Sequence, residues 1–343
     1  MRLFSAMPLL AAAFLAAAPA QALTDAQYAS LNEAAFEQHV RPRYESLAEA
    51  TAALDAGAKT FCQSPAHEKL SDLQSRYHAA ADAWQDVQHI RFGPVELFFR
   101  SQRIAFWPDQ RNSIGKQMAE ILAQRKSALL APEKFGRGSV AVQGLPALER
   151  LLFGADAAKL PAPGEDARYR CDYLIAIAAN LSGIAREVRD EWQKQPANGK
   201  DTSLDLFKSL YTAVELVADH KLARPLGASA AEARPRLAES WRSNRSLDNI
   251  RHNLEAARHL YSTAFAPVIT DQALNADIGR AFERTIAAAT AVKMPLEEAV
   301  QDRTARAALE TLGAEVIALK QLLMQRLPAA LDLPLGFNAL DGD

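Results

Sequence analysis

Three stretches of this sequence place polar groups where they could bind or transform a ligand. In SVAVQGLPALERLLF (139–153) one carboxylate, Glu149, sits among Leu145, Leu148, Leu151, Leu152 and Phe153. On a helix it falls about 100° from Leu148, at the border of the apolar stripe, while Arg150 faces away at about 200°. Gly144 followed by Pro146 suits a helix start, because the missing proline N–H costs nothing in the first turn. There a carboxylate gains about 0.3–1 kcal/mol from free N–H groups and the helix dipole. That structural role competes with a functional one, in which the charge meets a cation or a donor-bearing ligand.

The second stretch is ESWRSNRS (239–246), with Glu239, Ser240, Arg242, Ser243, Asn244, Arg245 and Ser246. Ser246 or Asn244 is expected to cap the helix that follows. Free N–H groups and two arginines could also receive an anion, such as a carboxylate or an iron-chelating ligand. The third feature is a pair of helical stripes, Asp248, His252, Glu255, His259 and His78, Asp82, Gln85, His89. Each reads as a solvated face of ion pairs, with a transition-metal site as the alternative. No HExxH or HxxEH string occurs, and the absence of CxxCH excludes covalent haem.

The elements that must position these groups are helices. Apolar residues recur at helical spacing, period-two alternation is nearly absent, and the fold class is therefore all-α. Helices are expected over about 25–57, 65–91, 112–130, 145–153, 167–194, 202–222, 229–240, 244–264, 270–290, 295–302 and 303–327. The polar stretch QPANGKDT (195–202) marks a boundary between two helical-bundle domains, 23–196 and 201–343. Their similar helix counts suggest a duplication. The aromatic concentration of Trp84, Phe92, Phe98, Phe99, Phe106 and Trp107 reads as core.

Residues 1–22 carry one basic residue, an apolar run and a small-x-small ending, the pattern of a secretory signal cleaved before Leu23. Removing Arg2 with it takes the formal charge from −2 to about −3, a mild balance that argues against nucleic acid as a partner. No later stretch reaches the roughly 18 apolar residues of a transmembrane segment. Cys62 and Cys171 are the two cysteines. In an oxidising compartment they are expected to pair, with two separately buried thiols as the alternative.

GLPALE (144–149) resembles the G-x-H-x-x-E signature of the imelysin family, with Pro146 where the signature has histidine. AWQDVQHIRFGPVELFF (83–99) and RIAFWPDQR (103–111) are similar to that family's Trp-containing helix, its Gly-Pro turn and the segment after it. AESWRSNRSLDNIRHNLEAARHLY (238–261) is similar to the Ser-rich start and long helix of its second domain, and LPLGFNALDGD (333–343) to a frequent ending. The resemblance implies an exported, periplasmic protein of two bundles related by duplication and tied to iron uptake. Some members are classed as metallopeptidases, with the signature histidine and glutamate as the metal-binding or catalytic pair.

Only Gly144 and Glu149 carry over, and proline offers no donor atom to a metal. A zinc hydrolase needs about three protein ligands. The expectation is therefore a periplasmic binding protein of iron or metal acquisition, without classical hydrolase chemistry. A metal-dependent peptidase is the alternative, and a partner-docking protein with no small ligand is a third reading. The site is expected at Gly144, Pro146 and Glu149, with Phe92, Gly93 and Pro94 shaping the opposing wall. Glu96 would approach Glu149 as a second carboxylate for iron or another divalent metal. Glu239, Ser243, Arg245 and Ser246 form a second candidate site. The expected partner is a metal ion, a metal complex, or a periplasmic or outer-membrane protein of an iron-uptake system.

Overall fold

The computed structural model describes residues 23–333, so the signal-peptide reading and all but the first residue of the C-terminal motif lie outside the described residues. No strand occurs among the described residues. Helix α1 (Asp25–Ala35) opens with a capping box, in which Thr24 Oγ1 accepts from the Gln27 N–H and Gln27 Oε1 accepts from the Thr24 N–H. A π-type turn over 36–40 buries Phe36, His39 and Val40 and leads into α2 (Arg41–Gln63). Then come α3 (His67–Gln85), α4 (Arg100–Ile104), α5 (Ser113–Gln124), α6 (Pro132–Phe135), α7 (Gly144–Phe153) and α8 (Glu165–Trp192). The second half holds α9 (Gly199–Glu215), α10 (Ala223–Leu226), α11 (Ser246–Leu260), α12 (Gln272–Ala291), α13 (Leu296–Ala299) and α14 (Arg303–Ala330).

Helices α2, α3, α7 and α8 pack as one bundle, and α9, α11, α12 and α14 as another. Their apolar stripes interdigitate because each helix leaves one face that water would otherwise cover. The halves are not cut cleanly by sequence position, since α1 lies on α9 and α3 packs on α11. Asn32 fixes the α1 contact by donating to the Gly199 carbonyl at 2.8 Å and accepting from Ser203 Oγ at 2.7 Å. A continuous apolar core results.

Cys62 at the end of α2 and Cys171 in α8 form a disulfide across 109 residues of chain. Cross-linking so distant a pair restricts the unfolded chain, and Cys62→Ala with Cys171→Ala is expected to lower the unfolding free energy by about 2–4 kcal/mol. Urea denaturation of the oxidised and double-variant proteins measures it.

The helix expected over 229–240 is absent. Pro235 excludes Arg234 from the helical region (φ −124°, ψ 73°), and two short 3₁₀ turns at 230–232 and 235–237 replace it. The resulting irregular segment runs from α10 to α11 and carries most of the second bundle's contribution to the site.

Candidate functional site between the bundles

Gly144 sets the direction of α7. Its φ is +68°, a left-handed value that favours glycine, and an added Cβ would stand 2.3 Å from the Ile104 carbonyl oxygen. Both the torsion and the close approach require glycine here. The buried Gln143 before it locks the same turn, donating to the carbonyls of Phe135 and Gly138 and accepting from Asn180 and Arg103. Gly144→Ala is expected to cost about 2–3 kcal/mol, read as a lowered urea midpoint.

That geometry delivers Glu149 to a turn of the second bundle. Its side chain is buried, with Oε1 accepting from the Arg242 N–H, the Ser243 N–H and Ser243 Oγ, each at 3.0 Å. Ser240 and Asn244 hold left-handed φ values of +54° and +57° around this turn, so its N–H groups converge as an anion-binding nest. The anion that the Ser-rich stretch was expected to receive is thus the chain's own carboxylate. Burial pushes Glu149 above its ordinary pKa, opposed by Arg242 and by the Ser243 hydrogen bonds. Oε2 has a weaker partner, the Arg242 guanidinium at 4.0 Å.

Beside this clasp lies a cavity of about 1390 Å³ walled by both bundles. Pro146, Glu149 and Arg150 of α7 line it, as do Trp84, Trp107 and Trp241. The signature position that is histidine in imelysins is here a proline on the wall, so this chain lacks an imidazole at that point.

The expected opposing wall stands elsewhere. Phe92 packs against Phe36 and Trp192, and Gly93 (φ +68°) comes so close to the Trp192 ring that a Cβ would meet it at 2.8 Å. Pro94 is buried and its carbonyl accepts from Arg100. Glu96 is exposed and faces Arg91 at 4.0 Å, outside the cavity lining, so it does not pair with Glu149. The physical reason is that Trp192 at the end of α8 captures the turn after α3. Phe98 and Phe99, read as core, are instead 73% and 72% exposed on left-handed backbone.

The second candidate set is divided among several contacts. Glu239 accepts from Lys221 Nζ at 2.6 Å and from Asn249 at 2.8 Å, in a buried network that Gln85 and Asn253 complete. Arg245 pairs with Asp82 and Asp248. Ser246 is the first residue of α11 and its hydroxyl donates to the Glu239 carbonyl at 2.6 Å, so neither it nor Asn244 caps the helix. Lys221 went unrecognised in the sequence, although it lies four residues after the buried Val217, on the same helical face.

The two histidine stripes are only partly solvated, with Glu255 exposed but Gln85 and His89 buried. They meet across the bundles, with His252 Nδ1 at 3.0 Å from Asp86 and Asn253 donating to the Gln85 carbonyl. His39, on the buried phase of the π-type turn, joins them. Its Nε2 is 2.9 Å from His89 Nε2 and its Nδ1 is 3.1 Å from His259 Nδ1. Because His39 uses different nitrogens for its two neighbours, the three rings form a chain rather than converge on a point. Among the described residues no three His, Cys, Asp or Glu side chains gather as a metal-holding group.

An all-helical protein of two bundles, clasped through a GxPxxE carboxylate beside a cavity, is the class that fold and site define. The profile of the family described as Imelysin matches residues 40–323, and the chain belongs to that family. It is 23% identical over 244 residues to the iron-regulated protein A of Synechococcus elongatus, covering 66% of this chain and 62% of that protein. The crystal structure of an imelysin-like protein from Psychrobacter arcticum superposes with a TM-score of 0.76 at 19% identity, over 92% of this chain and 98% of that one. A proposed iron-regulated protein A precursor from Parabacteroides distasonis gives 0.70 at 16% identity, over 88% and 96%.

Proposed function

We propose that this chain is an exported, periplasmic binding protein of iron acquisition, and that its site is the cavity between the bundles. The observation that carries the reading is that the motif residues Pro146 and Glu149, with the adjacent Arg150, line a cavity large enough for a small ligand. The iron-regulated name of a relative supports iron as the cargo. The disulfide suits an oxidising compartment, and among the described residues no helix is long and apolar enough to cross a membrane. Glu149 serves as the clasp that closes the cavity's wall, and Pro146 leaves that wall without a nitrogen ligand. Iron species titrated into the mature protein should give saturable heats, and a casein substrate should remain intact. Absence of heat with every iron species, or hydrolysis that chelators abolish, would overturn the reading.

A second reading, docking of an uptake-system partner, is favoured by the exposed Leu97, Phe98 and Phe99. It predicts that Phe98→Ser with Phe99→Ser impairs growth on limiting iron while the iron titration stays unchanged.

A further inference from the structure

The charges around the cavity are lopsided in a way that residue counts conceal. Its walls include Arg150 from α7, Arg224 from α10, and Arg234, Arg236 and Arg242 from the irregular segment before α11. Among the described residues, Arg150, Arg224, Arg234 and Arg236 have no ion-pair partner, Arg150 reaching only the Asn112 amide oxygen. Arg242 has only the distant Oε2 of Glu149. The carboxylates on the same walls are mostly engaged. Asp109 accepts from the Ser113 and Ile114 N–H groups, Asp156 and Asp166 hold Arg170, Glu239 holds Lys221, and Glu149 holds Ser243. Glu232 is exposed. The cavity therefore presents a cluster of guanidinium groups without ion-pair partners, against which only Asp109 and Glu232 stand as wall carboxylates that hold no cation.

The arrangement is also stiff. Trp241 stacks under Arg242, whose guanidinium carbon is 4.2 Å from the ring centre, and Arg236 approaches the same ring at 5.6 Å. Burial, then the Arg150 and Arg236 charges, lower the pKa of Arg242 against the opposing charges of Glu149 and Asp109, which places these groups close together. Cations on low-dielectric walls attract anions, and a planar guanidinium fork matches a carboxylate with two parallel hydrogen bonds. Oε1 of Glu149 already has three donors, which leaves it a poor ligand for a bare metal cation.

We propose that the cavity takes its cargo as an anion, a small polycarboxylate carried free or wrapped around iron, gripped by Arg150, Arg236 and Arg242. This rests on the reading that the cavity is the binding site and names the chemistry of what fills it. Calorimetry and tryptophan fluorescence on the mature protein test it, with citrate, ferric citrate, ferrous chloride and inorganic phosphate as probes. Citrate and ferric citrate should bind saturably and less tightly at high salt, and ferrous chloride should not bind. Arg236→Gln and Arg242→Gln should each weaken citrate binding about tenfold. Arg236 is exposed, so its variant keeps the fold even if the other does not. Unchanged affinity in Arg236→Gln, or phosphate binding as tightly as citrate, overturns the proposal. Ferrous ion binding where neither citrate form binds overturns it too, while leaving iron carriage standing. Binding of free citrate with no iron species would uphold the anion site and sink iron carriage; silence from every probe would sink both.

Discussion

Glu149→Ala should lower the unfolding free energy by about 3–5 kcal/mol, whereas Glu149→Gln should change it by about 1 kcal/mol or less. Alanine leaves two backbone N–H groups and the Ser243 hydroxyl without their acceptor in a buried turn. Glutamine keeps an oxygen for those donors and removes a charge that burial disfavours. The difference between the variants therefore separates a hydrogen-bonded clasp from a charge held for a visiting cation. Urea midpoints measure the energies, and hydrogen exchange at Arg242 and Ser243 localises them. Exchange should accelerate in the alanine variant and not in the glutamine one. Equal losses in both would show that charge, rather than the acceptor oxygen, holds the bundles together.

Acid should loosen the same interface through histidines. Burial and neighbouring cations drive the His89 pKa down to about 3 and hold His39 well below its ordinary value. His259 is lowered by burial and by Arg43 and Arg258. A ring that stays neutral in the folded protein but protonates once unfolded contributes stability that is complete above about pH 6.5. That stability is lost as pH falls, at about 1.4 kcal/mol per pH unit for each fully buried ring. With His89 buried, its share of the loss between pH 6.5 and 4.5 should be about 2–3 kcal/mol, and His39 adds to it in the same direction. His252 opposes it, because Asp86 and Asp82 raise its pKa and its stabilisation fades as pH rises. The carboxylates held low by arginine or lysine, such as Asp156, Asp166 and Glu191, act only further into acid. Urea unfolding at several pH values, with His89→Gln beside the wild type, reads the effect. The variant's slope of stability against pH should be shallower by about 1.4 kcal/mol per unit, and parallel slopes would refute the assignment to this ring.

Much of the fold was legible because helical periodicity is written locally. The all-α class, the start of α7 at Gly144 and the breaks around α8 and α9 follow from spacing and from Gly and Pro positions. The Cys62–Cys171 pairing followed from compartment logic and residue count. Pairings between distant faces were not legible. Glu149 and Ser243 each carried a signal, yet nothing in either stretch says that one is the other's partner across 94 residues. The stripes of His89 and His259 looked solvated because helical phase tells which residues share a face, not whether another helix covers it. The Phe92–Gly93–Pro94 turn went to Trp192 because an aromatic edge there captures it, a contact that spacing does not encode. The helix expected over 229–240 failed on a local rule, the restriction Pro235 places on Arg234.

The most direct test of iron carriage is native mass spectrometry, with elemental analysis, of the mature protein isolated from its own compartment under iron limitation and then iron supply. The cavity reading predicts, after supply, a bound iron-bearing species that Arg242→Gln diminishes. Identical, iron-free masses under both conditions would contradict it.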